Sequence, residues 1–169
     1  MVPTLKTLFH EDQKDRTSGV EYKILLKKDK ERRKVARLLI KEKEKLTPEE
    51  IYYAALLFHH SPHNGDIKKA KNLALLNIKR GESLKKGNRW IEKSKWLVAG
   101  TTDRLLVREG KPQKYGTQFF QKSPNSPRKL FAYEKNTTDE ERVSLNVPTL
   151  KQTLAELKEM DEKYNKKLK

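Results

Sequence analysis

Apolar residues recur along this chain at steps of three and four, the spacing of one helix face, in blocks separated by polar or glycine- and proline-marked breaks. A first helix is expected over 4–16, with Leu5, Leu8 and Phe9 on one face and Asp12, Gln13 and Arg16 following at helical steps. Thr17-Ser18-Gly19 breaks it. A second is expected over 20–45, carrying Ile24, Val35, Leu38 and Leu39; its middle, 27–34, reads as too polar for burial on any face and leaves room for a kink. The third has the clearest start, Thr47-Pro48-Glu49-Glu50, a capping threonine with Pro at the first helical position and Glu at the third. It runs to His59-His60. A fourth opens with Asp66 as N-cap and closes at Gly81, a fifth spans 90–107, and a last follows Pro148 with Leu150, Leu154 and Leu157 in register.

Some forty residues between the last two helices show no clear period, yet Phe119, Phe120, Phe131 and Tyr133 favour ordered packing there. The pentapeptide Val-Pro-Thr-Leu-Lys occurs at 2–6 and again at 147–151. Both copies open a helix, which points to shared helix-start chemistry and not to a repeat fold. Helices three and four form a hairpin like a solenoid unit, but at least three such units are normally needed for stability. The expected fold is therefore mainly α: an irregular bundle of five to seven helices with a long ordered loop before the last helix. One helical domain is expected over 1–157, with 158–169 a lysine-rich helix end or tail.

Composition narrows the class. Hydrophobic residues make up 34% and charged residues 37% of the 169, but the periodic apolar blocks argue against disorder. The absence of cysteine excludes disulfides and thiolate metal sites. No apolar run approaches the roughly 20 residues that span a bilayer, and the first residues lack the apolar stretch of a signal peptide. A cytoplasmic protein without a membrane partner is expected.

The net charge is +16, a balance that attracts nucleic acid or phosphorylated ligands. Residues 68–95 hold ten Lys and Arg against two Glu, and Lys85, Lys86 and Arg89 are the candidate nucleic-acid contacts. Trp90, Trp96 and Tyr133 could stack on bases, although core packing is the commoner role of helical Trp. Elsewhere the charge alternates in sign, as in Lys41-Glu42-Lys43-Glu44-Lys45, the pattern of a solvated face.

Three groups of residues carry candidate chemistry. Asp103-Arg104 and the stretch Gly110 to Gln118, with Gln113, Tyr115, Thr117 and Gln118, gather phenol, hydroxyl and amide groups around Gly116. A turn whose side chains cap backbone groups is the structural alternative. Asp12-Gln13-x-x-Arg16 places carboxylate and guanidinium four residues apart, as in an exposed pair worth roughly 0.3–0.5 kcal/mol. His59-His60, with His63 and Asp66 beyond a proline break, is poorly spaced for a metal. No phosphate loop, dinucleotide fingerprint or nucleophile elbow is present, so neither metal nor cofactor is expected.

Together these pieces resemble a family of uncharacterised, mostly bacterial proteins known as a domain of unknown function. The resemblance rests on Asp12-Gln13-Lys14-Asp15-Arg16, Ala54 to His60, Asp103-Arg104, Gly110 to Gln118, and Asp139-Glu140-Glu141-Arg142 before Val147-Pro148-Thr149-Leu150. It covers roughly residues 10–157; the Tyr-Gly-Thr-Gln block is its specific part. It implies no activity, but it does imply that the scattered polar residues converge. The leading expectation is a polar, anion-binding pocket lined by Asp12, Gln13, Arg16, Arg104, Gln113, Thr117 and Gln118. Asp103, His60 and Tyr115 are its candidate catalytic groups, and a phosphate-containing or nucleotide molecule its substrate. A non-enzymatic nucleic-acid or ribonucleoprotein binder, and a helical protein-interaction module, are the alternatives.

Overall fold

The computed structural model describes residues 3–81, 87–123 and 126–167. They contain α1 (Leu5–Thr17), α2 (Tyr22–Leu39), a single 3-10 turn (Lys43–Lys45), α3 (Pro48–His59), α4 (Asn64–Gly81) and α5 (Arg89–Arg108). Two short strands follow, β1 (Phe119–Phe120) and β2 (Lys129–Leu130), then α6 (Asp139–Ser144) and α7 (Leu150–Lys167). The protein is mainly helical, with seven α-helices among the described residues, and none of these is long and apolar enough to cross a membrane.

Four of the described helices begin where a threonine hydroxyl closes the first turn. The Oγ1 atoms of Thr4, Thr47, Thr138 and Thr149 accept from the backbone N–H three residues on, at 3.2, 3.3, 3.2 and 3.2 Å. Such caps are worth about 1 kcal/mol each. Thr4 and Thr149 belong to the two Val-Pro-Thr-Leu-Lys copies and start α1 and α7 in the same way.

The chain falls into two compact units, Met1–Thr101 and Thr102–Lys169, whose boundary lies inside α5. In the first unit α3 is central and packs on α1, α2 and α4. Ala54 and Ala55 are wholly buried and let neighbouring helices approach, while Ile51, Leu57, Phe58, Ile67, Ala70 and Leu73 fill the core. Gly81 ends α4 against α5: a Cβ there would lie 2.7 Å from Ile91 Cγ1. Asn77, fully buried, donates to Pro48 O at 2.8 Å and to Ser94 Oγ at 2.9 Å, tying the start of α3 to α5.

Two expectations for this unit are corrected. The segment 27–34 is buried on one face through Asp29, Arg32 and Arg33, because these three meet partners of opposite charge; α2 is continuous and ends at Leu39. Asp66 is not the cap of α4, which already begins at Asn64; its carboxylate turns to Ser61 and Arg37 instead.

The second unit is built around a loop. Gln113 forms backbone hydrogen bonds of 2.8 Å to Ala132 and Glu134, and β1 pairs antiparallel with β2, Phe119 opposite Leu130. The sequence expectation of a long ordered segment with no helix misses α6, whose six residues are too few to show a period. Arg128 N donates to both carboxylate oxygens of Asp161 on α7, at 3.0 and 3.2 Å.

Candidate functional site

Four of the expected site residues meet on one carboxylate in the first unit. Asp12 sits on α1 facing α3 and is 1% exposed. Arg16, one turn on, embraces it with Nε at 3.1 Å from Oδ2 and Nη2 at 2.9 Å from Oδ1. Gln13 Nε2 donates to Oδ2 at 2.8 Å. From the end of α3, His60 brings Nδ1 to 3.1 Å from Oδ2 and 3.3 Å from Oδ1. Burial alone would raise the Asp12 pKa, but the His60 and Arg16 hydrogen bonds prevail and hold it well below the usual carboxylate range. Asp12 and Arg16 are thus not the exposed pair that their spacing also allowed.

The arrangement defines the histidine. A buried carboxylate that stays ionised accepts the Nδ1 proton of the ring, which leaves Nε2 as the open lone pair of the neutral imidazole. The His60 side chain is 17% exposed, and Nε2 makes no hydrogen bond within the described residues. Its neighbour His59 is buried, with its ring edge-on to Trp96 at 6.3 Å.

Behind this pair lies a chain of alternating charge that the sequence reading did not find. Arg16 Nη2 also donates to Asp29 at 2.7 Å, and Asp29 accepts from Arg32 Nη1 at 3.1 Å. Arg32 continues to Asp15, which Lys28 meets at 2.9 Å. Lys28 and Arg32 hold the Asp15 pKa down. Arg16 is therefore shared between two carboxylates and has little net positive charge to offer an anion. Asp29 stands with Glu31 in the charged run Lys27 to Lys34, which reads as a solvated face unless its partners are known.

The residues around Tyr-Gly-Thr-Gln form a second cluster, within the second unit. Asp103, fully buried on α5, accepts Lys114 N at 2.8 Å and Tyr115 N at 2.9 Å on Oδ1. Its Oδ2 accepts Thr117 N at 2.9 Å and Thr117 Oγ1 at 2.8 Å. Both oxygens are spent on the loop, so the geometry favours a loop-holding carboxylate over a general base. Gln113, also fully buried, donates to Gln118 O at 2.9 Å and Phe131 O at 3.1 Å and accepts Gln118 N at 2.8 Å. Gly116 turns the loop at φ +75°, and a Cβ would come within 3.0 Å of Arg142 Nη1, the atom that donates to Tyr115 O. Arg142, which is 1% exposed, was not among the expected site residues, although the Asp139-x-x-Arg142 pattern held its signal. Arg104 Nε lies 3.4 Å from Gln118 Oε1, and Gln118 Nε2 donates to Thr117 Oγ1 at 3.1 Å. Tyr115 is half-buried, with Lys114 Nζ 5.4 Å from its ring centre.

Of the expected nucleic-acid contacts, Lys85 and Lys86 lie outside the described residues. The Arg89 guanidinium covers the Trp90 ring at 4.2 Å, so that face of the indole is already occupied. Among the described residues no group of three His, Asp or Glu side chains is gathered as a metal ion would need. No protein-family model, curated protein or solved structure matches the chain.

Proposed function

We infer that this protein is an enzyme whose proton-transfer atom is His60 Nε2, with Asp12 as the group that orients the ring. The observation that carries this reading is the Asp12–His60 contact at 3.1 Å, in which a carboxylate 1% exposed faces an imidazole whose other nitrogen stays open. Asp12 sets the tautomer and balances the imidazolium formed when Nε2 takes a proton. Arg16 and Gln13 hold Asp12 in place and are positioning residues. In the second unit Asp103 and Gln113 brace the loop that presents Tyr115, Thr117 and Gln118.

The substrate class that suits a chain of net charge +16 is a phosphoester or nucleotide. Similarity to the family sharing the Asp-Gln-x-x-Arg and Tyr-Gly-Thr-Gln patterns belongs to the same proposal. The test is turnover of a phosphoester panel, p-nitrophenyl phosphate, bis(p-nitrophenyl) phosphate and the common nucleotides, by the parent and His60→Gln. Loss of a positioned general base lowers turnover by about 10²–10⁴-fold. No turnover of any phosphoester by the parent, or full activity in a folded His60→Gln, contradicts the proposal.

A further inference from the structure

A second feature of the first unit has no place in the His60 chemistry. The end of α2 with the two residues that follow it, and α4 from Gly65 to Leu76, line an open groove of about 570 Å³. Its rim is cationic: Arg37, Lys41, Lys68 and Lys69 line it, and no carboxylate does. Its floor is apolar, formed by Ile40, Leu73 and Leu76, with the Asn72 amide beside them. Four cations and no acid therefore face one concave surface, a concentration of positive charge suited to an anion.

The cations are held where they stand. Arg37 and Lys69 both lie over the buried Phe58 ring, at 5.5 and 5.7 Å from its centre, which fixes their stems against the core. Arg37 shares Asp66 with Arg33, so one carboxylate serves two guanidinium groups and positive charge remains. Lys41, Lys68 and Lys69 form no ion pair within the described residues. Gly65, in the first turn of α4, adds the positive end of a long helix.

We propose that this groove binds a nucleotide, its phosphate on Lys41, Lys68 and Lys69 and its base on the Ile40, Leu73 and Leu76 floor beside Asn72. The volume lies within the range of small-molecule sites. A bare phosphate would leave the apolar floor uncovered, and an uncharged ring would leave the lysines unused. The nucleotide is either a free molecule or one unit of a polynucleotide, and the same contacts serve both. The proposal does not depend on the role of His60.

The experiment is titration of the whole protein at low salt with adenosine monophosphate, adenosine and inorganic phosphate, and with a single-stranded oligoadenylate RNA. Lys68→Gln/Lys69→Gln is compared with Lys158→Gln, an exposed change on α7. The groove predicts that adenosine monophosphate binds more tightly than adenosine or phosphate. The double variant weakens it by about tenfold or more, the effect of losing charge-assisted bonds to phosphate. Lys158→Gln leaves it unchanged. RNA binding without binding of the mononucleotide, if weakened in the same way by the double variant, assigns the nucleotide to a polynucleotide. Absence of binding to both, or binding that the double variant leaves within twofold, overturns the proposal. The lysines are exposed, so circular dichroism of the double variant is expected to match the parent.

Discussion

Replacing Asp103 with Asn separates a carboxylate that holds a loop from one kept for chemistry. The carboxylate accepts four hydrogen bonds, two on each oxygen, and three of the donors are backbone N–H groups. An amide has one oxygen. Its best orientation keeps that oxygen on Lys114 N and Tyr115 N and turns Nδ2 towards Thr117. There the Thr117 hydroxyl can reverse and accept, but Thr117 N is left facing another donor. One stranded buried N–H costs about 1–3 kcal/mol, and the bonds that survive lose their charge assistance. Asp103→Asn should therefore destabilise the protein by about 2–4 kcal/mol. Indole fluorescence does not resolve the individual amides of this loop. Urea unfolding followed by far-ultraviolet circular dichroism, with hydrogen exchange of the Lys114, Tyr115 and Thr117 amides, does. A loss under about 1 kcal/mol with unchanged exchange at those amides would refute the reasoning. It would instead fit a polar residue maintained for function at some expense of stability.

Two further outcomes follow from the first unit. Gly81→Ala adds helix propensity at the end of α4 but places a Cβ within 2.8 Å of three Ile91 atoms, so a net loss of about 1–3 kcal/mol is expected in urea unfolding followed by Trp fluorescence. The Asp12 pKa is depressed in the folded state, so its contribution to stability is complete above the unfolded value near 3.9 and is lost as pH falls below it. Asp12→Asn should cost about 2–3 kcal/mol at neutral pH and flatten the fall in stability below about pH 4; an unchanged acid profile would contradict this.

What the sequence made legible was local. Helix starts depend on a threonine and the residue three positions on, so Thr4, Thr47 and Thr149 announce α1, α3 and α7 without knowledge of the fold. The burial of Asp29, Arg32 and Arg33 was not legible. It depends on partners such as Asp15, seventeen residues from Arg32, and a basic run reads as solvated until those partners are placed. The strands β1 and β2 are two residues each, too short for alternation to register. For the site, residue types together with the family resemblance named Asp12, Gln13, Arg16 and His60, and their meeting on one carboxylate needed the fold. The difference between an oxygen committed to a loop, as in Asp103, and a nitrogen left open, as in His60, is one of geometry alone.

The tautomer of His60 tests the central claim most directly. Long-range proton–nitrogen correlation spectra of the ¹⁵N-labelled protein, recorded where the ring is neutral, report which nitrogen carries the proton. The account predicts a proton on Nδ1, donated to Asp12, with Nε2 as the unprotonated nitrogen, and loss of that preference in Asp12→Asn. A neutral ring protonated at Nε2 in the parent protein would contradict it.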